Sequence, residues 1–223
     1  MATAAIFGPT GAVGAEILAA LLATTSSAFA SVKTISRRVP AAQSPKLQAI
    51  QEADTSKWGG LIATLAPAPS IVFNAVGTTR ATAGGIAEQW KIDHDLCIEN
   101  AKAAKAAGVK RTAGTRSFPN SLAPYCKMKN GVEDAIKELG FDHAVILKPG
   151  MILAREKSKA WLAEKTVETM PQFARDRLGQ DASVIGRAAV AAAQMVEEGK
   201  APSKYWEVGM ADILKMGREE WQK

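Results

Sequence analysis

The chain has 223 residues, 47% of them hydrophobic, which suits one domain with a sizeable core rather than several small units. Lys and Arg outnumber Asp and Glu by 28 to 22, but no dense basic run with interleaved aromatics is present, which argues against a nucleic-acid partner. Cys97 and Cys126 make no disulfide framework, and His94 and His143 stand too far apart to suggest a metal site.

Thr3 to Phe7 is a short apolar run ending in glycine, the pattern of a buried parallel strand. Val13, Ile17, Leu18, Leu21 and Leu22 then recur at helical spacing. This apolar stretch, with Ala28-Phe29-Ala30 beyond it, imitates a secretory leader. No Lys or Arg precedes Lys33, however, and Glu16 interrupts the run, so a leader is not expected. No segment approaches the ~18 apolar residues of a membrane span. Ser31 to Ser36 predicts a second strand. The proline-rich stretch from Val39 to Ser70 predicts loop, with a short strand at Leu61 to Leu65. Ile71 to Val76 is the clearest later strand. An alanine-rich helix is expected from about Gly85 to Ala107, stopped by Gly108. Helices follow at Pro124 to Leu139, near Lys157 to Thr169, at Ala182 to Glu198 and at Ala211 to Trp221. Strands are expected at Ala144 to Leu147 and Lys204 to Val208. Strands alternating with helices predict a Rossmann-type α/β fold, a doubly wound parallel sheet with helices on both faces. Residues 1–223 are read as one domain, with 151–223 a small C-terminal extension on the substrate side.

The first strand–glycine–helix unit carries the chemistry. In Gly8-Pro9-Thr10-Gly11-Ala12-Val13-Gly14, Gly8 permits a tight turn and Gly11 lets the backbone approach a pyrophosphate. Gly14 lets the helix pack closely on the sheet. Pro9 has no N–H to offer, so the contacts fall to Gly8, Thr10, Gly11, Ala12, Val13 and Gly14. The helix N-terminus presents free amides and a positive dipole end. At the end of the second strand, where an NAD site carries Asp or Glu, this chain has Arg37 and Arg38. Guanidinium groups suit a 2′-phosphate, so the expected cofactor is NADP(H). Asn74, Ala75, Val76 and Gly77 end a strand where the adenosine ribose should lie, and Pro149-Gly150 ends another. Tyr125 and Lys129, four residues apart on a helix, share a face. There an ammonium favours a phenolate able to move a proton near neutral pH, and Lys129 is also a candidate to hold a ribose hydroxyl. Asp93, His94 and Asp95 are read as solvent-facing or as a local network.

These pieces together resemble the short-chain dehydrogenase/reductase superfamily, in its extended or atypical branch. A narrower likeness rests on Gly77-Thr78-Thr79-Arg80, Trp90-Lys91-Ile92-Asp93-His94-Asp95-Leu96, Ala113-Gly114-Thr115-Arg116 and Ala201-Pro202-Ser203-Lys204-Tyr205-Trp206. These segments are similar to a fungal family of proteins found in the mitochondrial proteome. The resemblance implies an NAD(P)-binding domain attached peripherally to the mitochondrial outer membrane.

One segment departs from that pattern. The superfamily carries a buried apolar strand between the alanine-rich helix and a catalytic serine. Here Gly108-Val109-Lys110-Arg111-Thr112-Ala113-Gly114 passes almost directly from helix to motif, as though about five residues were absent. Lys110 and Arg111 would be costly in a central strand. The serine's place falls to Thr112, whose hydroxyl has the same donor and acceptor capacity, with Ser117 a poorer second. The leading expectation is an oxidoreductase with Tyr125, Lys129 and Thr112 as catalytic residues, acting on an unidentified small carbonyl or alcohol. The alternative is a non-catalytic NADP(H)-binding scaffold. A weaker third is an adaptor on an anionic membrane surface.

Overall fold

The computed structural model describes residues 2–23, 28–115, 124–153 and 169–221. Its strands are β1 (Ala2–Phe7), β2 (Phe29–Ser36), β3 (Leu47–Gln51), β4 (Ile71–Asn74), β5 (Arg111–Thr115), β6 (His143–Leu147), β7 (Met151–Leu153), β8 (Gly179–Asp181) and β9 (Tyr205–Val208). Its helices are α1 (Ala12–Ala23), α2 (Trp58–Ala63), α3 (Arg80–Ala83), α4 (Ile86–Trp90), α5 (Cys97–Ala106), α6 (Pro124–Leu139), α7 (Gln172–Leu178), α8 (Ala182–Glu197) and α9 (Met210–Leu214). A π-helical turn, Lys91–Leu96, joins α4 to α5. The helix expected near Lys157 to Thr169, and Ser117, lie outside the described residues.

Seven strands pair in parallel in the order β3-β2-β1-β4-β5-β6-β9. This is the doubly wound sheet expected of the alternating pattern. The order reverses between β1 and β4, and in such sheets the crevice beyond the strand ends at that switch point receives the ligand. The apolar runs explain the central strands: β1 is buried from Thr3 onward, and β4 is buried at Ile71, Val72 and Phe73. One face of the sheet packs against α1 and α8, where Ile6, Leu21, Phe29, Phe73 and Ile185 form a continuous core. The small side chains Ala188, Ala189, Ala192 and Ala193 are fully buried and let α8 lie close. The other face packs Phe7, Ile35 and Val72 against Trp58, Ile62 and Ala104. Burying one such large side chain contributes about 1.5–3 kcal/mol, so both layers are needed to offset chain entropy. The stretch 151–223 is divided. β7 and β8 form a separate two-stranded ribbon, whereas α8 and β9 complete the main layers, so only part of it stands outside the sheet.

Three local expectations are corrected. Leu61 to Leu65 is not a strand. Residues 58–63 are helical, with Trp58 and Ile62 turned into the core. The missing strand is β3, whose Leu-Gln-Ala-Ile-Gln sequence shows no strong apolar run because it is an edge with a single neighbour. The long helix expected over 85–107 is interrupted by the π-helical turn, a feature often placed at functional sites. The central strand before the motif is also present. β5 pairs with β4 and β6 along Arg111–Thr115, so Ala113-Gly114-Thr115 itself supplies the strand. Lys110 stays outside it and exposed, and Arg111 gives its charge to Glu197 of α8 at 3.0 Å. Ser70 donates to the same carboxylate oxygen at 2.8 Å. A charged residue at the head of a central strand is thus tolerated because it is paired.

Candidate functional site

The loop between β1 and α1 is built by contacts that exclude side chains. Gly8 has φ +78°, a conformation that suits glycine, and its N–H donates to Ile35 O at 3.3 Å. Gly11 N–H donates back to Gly8 O at 3.2 Å. A Cβ on Gly14 would stand 2.1 Å from Gly8 O, so only glycine lets α1 begin here. The first helical bond runs from Ala15 N–H to Gly11 O. The amides of Ala12, Val13 and Gly14 precede that bond and point out of the helix N-terminus. Across the switch point, Ala75 donates to Phe7 O at 3.0 Å, bringing the end of β4 beside the loop. The result is a turn in which these three N–H groups have no backbone partner among the described residues, at the positive dipole end of α1, an arrangement suited to an anion.

Arg37 and Arg38 leave β2 on the same side and are exposed. Their carbonyls accept from Gln51 Nε2 and Ser36 Oγ, which fixes the backbone. Neither guanidinium has a partner among the described residues. These two side chains, without a partner among the described residues, stand where the sequence reading expects a 2′-phosphate to be held.

The end of β4 leads into a buried polar network, the second of the two readings of the Asp-His-Asp run. Asp93, in the π-helical turn, is 0% exposed. Its Oδ1 accepts from Thr78 N–H at 3.1 Å and from the Lys129 ammonium at 3.3 Å. Its Oδ2 accepts from Gln89 Nε2 at 3.0 Å, and the same nitrogen lies 3.2 Å from Thr78 O. Gly77 packs against Asp93 Oδ1, where an added Cβ would stand at 3.1 Å. Asp93 therefore does not face solvent, as had been one reading of the Asp-His-Asp run. The available signal was its spacing four residues from Gln89. Burial disfavours the charge on Lys129, but Cys97, Asp93 and Tyr125 around it outweigh that and raise its pKa. Burial also pushes the neighbouring Cys97 up to about 11, so it lines the site as a thiol.

Tyr125 and Lys129 do share a face of α6, with the ammonium 5.9 Å from the tyrosine ring centre. Tyr125 is partly exposed and Lys129 is buried. Thr112 is not beside them. It is the second residue of β5, buried, and its hydroxyl donates to Val72 O at 3.3 Å. Because the connection is short, the strand has drawn Thr112 into the sheet and left Thr115 at its C-terminal end. Thr115, Gly114, Asn74, Lys129, Glu133 and Ile146 line a narrow pocket of about 20 Å³, little more than the room for one water. Asn74 Nδ2 donates to Cys97 O at 3.0 Å, while its buried Oδ1 has no partner among the described residues. Beyond β6, Gly150 N–H donates to Gln180 Oε1 at 2.8 Å, and a Cβ there would meet Leu178 O at 2.6 Å. Pro149-Gly150 therefore anchors the segment carrying β7 and β8, and its amide is already engaged.

Gly114 has room for a side chain, since a Cβ there would meet nothing closer than Asn74 O at 3.7 Å. Gly114→Ala is expected to stabilise the protein by about 0.4–1 kcal/mol, chiefly by restricting the unfolded chain. A thermal melt with an unchanged or lower midpoint would contradict this.

No family model matches the sequence. The chain is 66% identical over 231 residues to the protein named fmp52-2, mitochondrial, of Aspergillus oryzae, covering 100% of each. It is 48% identical over 234 residues to fmp-52, mitochondrial, of Neurospora crassa, covering 98% of this chain and 96% of that one. The first alignment spans 231 positions against 223 residues here, so about eight positions have no counterpart in this chain. Among solved structures, MoeE5 in complex with UDP-glucose and NAD shares the fold. Its TM-score is 0.66 at 14% identity, over 98% of this chain and 81% of that one.

Proposed function

Since the chain belongs to the fungal fmp52 family, we propose that it is an NADP(H)-dependent oxidoreductase of the short-chain dehydrogenase/reductase type, acting on a small carbonyl or alcohol. The observation that carries this reading is the β1–α1 turn, where Gly14 meets Gly8 O too closely for any side chain and three amides have no backbone partner among the described residues. The residues present fit a dinucleotide. The loop amides would hold the pyrophosphate, Arg37 and Arg38 the 2′-phosphate, and the end of β4 the ribose, with Asn74 Oδ1 an unused acceptor there.

The coenzyme, when bound, supplies or accepts the hydride. Tyr125 donates a proton to the carbonyl oxygen as it becomes an alcohol and recovers that proton from solvent. Lys129 holds a ribose hydroxyl. Thr115, rather than Thr112, stands at the strand end from which a hydroxyl reaches the carbonyl oxygen. In an assay of NADPH consumption over a carbonyl panel, Tyr125→Phe is expected to lose about 10²–10⁴-fold in turnover. In the same series Arg37→Glu is expected to weaken NADPH by about 10–100-fold while sparing NADH, the cost of one or more charge-assisted hydrogen bonds. Undiminished turnover in the first variant, or an unchanged NADPH/NADH ratio in the second, would overturn the assignment.

A second reading is favoured by one specific observation: the hydroxyl of Thr112 is committed to Val72 O. On that reading the protein binds NADP(H) without catalysis, and NADPH raises its melting temperature although no carbonyl in the panel is reduced.

We further propose a peripheral place on the mitochondrial outer membrane; the names of the relatives support the mitochondrion and nothing finer. Among the described residues no helix is long and apolar enough to cross a membrane. Alkaline carbonate is expected to release the protein from isolated mitochondria, and retention in the washed pellet would contradict a peripheral attachment.

A further inference from the structure

We propose that Asp93 is a positioning residue for Lys129: its buried carboxylate fixes the ammonium between the loop after β4 and α6 and keeps it charged, so that Lys129 serves as a held hydrogen-bond donor to the coenzyme ribose. This deepens the nicotinamide coenzyme reading above and rests on it for the identity of the acceptor.

Asp93 touches three separate elements: the Thr78 amide beyond β4, the Gln89 amide on α4, and Lys129 on α6. The backbone at Gly77–Thr78 belongs to the strand end expected to face the ribose, so a single side chain joins the coenzyme-side loop to the lysine. The π-helical turn aims it inward, and α6 closes over that turn. Gly131 packs so tightly on His94 that an added Cβ would stand 2.5 Å from His94 Nε2, while His94 itself lies tilted against Trp90 with ring centres 4.8 Å apart. The groups facing Lys129 are Asp93 from the π-helical turn, Cys97 from α5, and Tyr125 and Glu133 from its own helix. Asp93 lies at 3.3 Å and is hydrogen-bonded to the ammonium, whereas the Tyr125 ring centre is 5.9 Å away. The nearer carboxylate balances the ammonium before the phenol feels it. With no carboxylate at 93, the buried ammonium loses its hydrogen-bonded counter-ion and sheds its proton more readily.

The test is a titration of Lys129 in the coenzyme-free protein, followed by NMR of 13Cε-labelled lysine, with Lys129→Met assigning the resonance. Asp93→Asn is expected to lower the midpoint by at least about one unit, a tenfold change in the protonation equilibrium. Asp93→Glu, which keeps the carboxylate, is expected to hold it near the wild-type value. The Glu variant also keeps the test decisive should Asp93→Asn not fold. An unmoved midpoint in Asp93→Asn, or a fallen one in Asp93→Glu, overturns the proposal, since a merely structural role would change melting without moving the lysine. Calorimetry supplies the second readout: NADPH affinity of Asp93→Asn is expected to fall about twofold at the new midpoint and about tenfold one unit above it, a dependence that Lys129→Met in the same background removes. The lysine titration needs no coenzyme, so its failure and a failure to bind NADPH are separate results.

Discussion

Gly14→Ala is expected to abolish measurable coenzyme binding and to cost about 3 kcal/mol of stability, the upper end for overpacking, because the atoms in the way are backbone. The added methyl would stand 2.1 Å from Gly8 O and 3.2 Å from the Ala75 side chain. Neither neighbour has a rotamer to change. Relief requires α1 to move off the sheet or the loop to open, and either movement displaces the amides that would grip a pyrophosphate. Gly8 is pinned at the same time from the other side, its N–H on Ile35 O and its φ at +78°. Denaturant melts and calorimetric titration of the variant check the two effects separately. A folded Gly14→Ala protein that binds NADPH as tightly as wild type would show that the turn is ordinary packing and not a phosphate cradle.

The second large effect belongs to the buried pair. Lys129→Met or Asp93→Asn alone is expected to destabilise the protein by about 3–5 kcal/mol, because each leaves the other partner poorly compensated away from water. The double variant is expected to recover most of that loss, since a buried pair replaced by neutral groups is often close to neutral in stability. Four proteins compared by denaturant melts give the coupling directly, and purely additive single effects would contradict it. The pH dependence has a definite sign. The folded ammonium titrates above the ordinary lysine value of 10.5. Its contribution is therefore complete below pH 10.5 and is lost only as pH rises through the folded value.

The sheet and its switch point were legible in the sequence because parallel strands buried on both faces must be apolar throughout, as in residues 3–7 and 71–73. The phosphate loop was legible because its glycines answer a local steric demand that leaves a local pattern. β3 escaped notice because an edge strand with one neighbour needs no apolar alternation. β5 was misjudged for a different reason. Val109-Lys110-Arg111 does not look like a central strand, but Arg111 finds its counter-charge on Glu197, 86 residues away, and no local pattern announces such a partner. The consequence reached the site, since a strand starting at Arg111 buries Thr112 and delivers Thr115 instead. Which of the two readings of Asp93 holds was hidden in the same way. Its partner Lys129 is 36 residues distant, and only the π-helical turn turns its carboxylate inward.

The account depends on a dinucleotide diphosphate docking against the amides at the start of α1. Isothermal titration of the folded wild-type protein with NADPH and with NADH tests it most directly. Saturable heat is predicted for both, with NADPH the tighter ligand by roughly tenfold or more, as the free Arg37 and Arg38 guanidiniums require. No heat with either coenzyme, from protein shown to be folded by its melting transition, would contradict it.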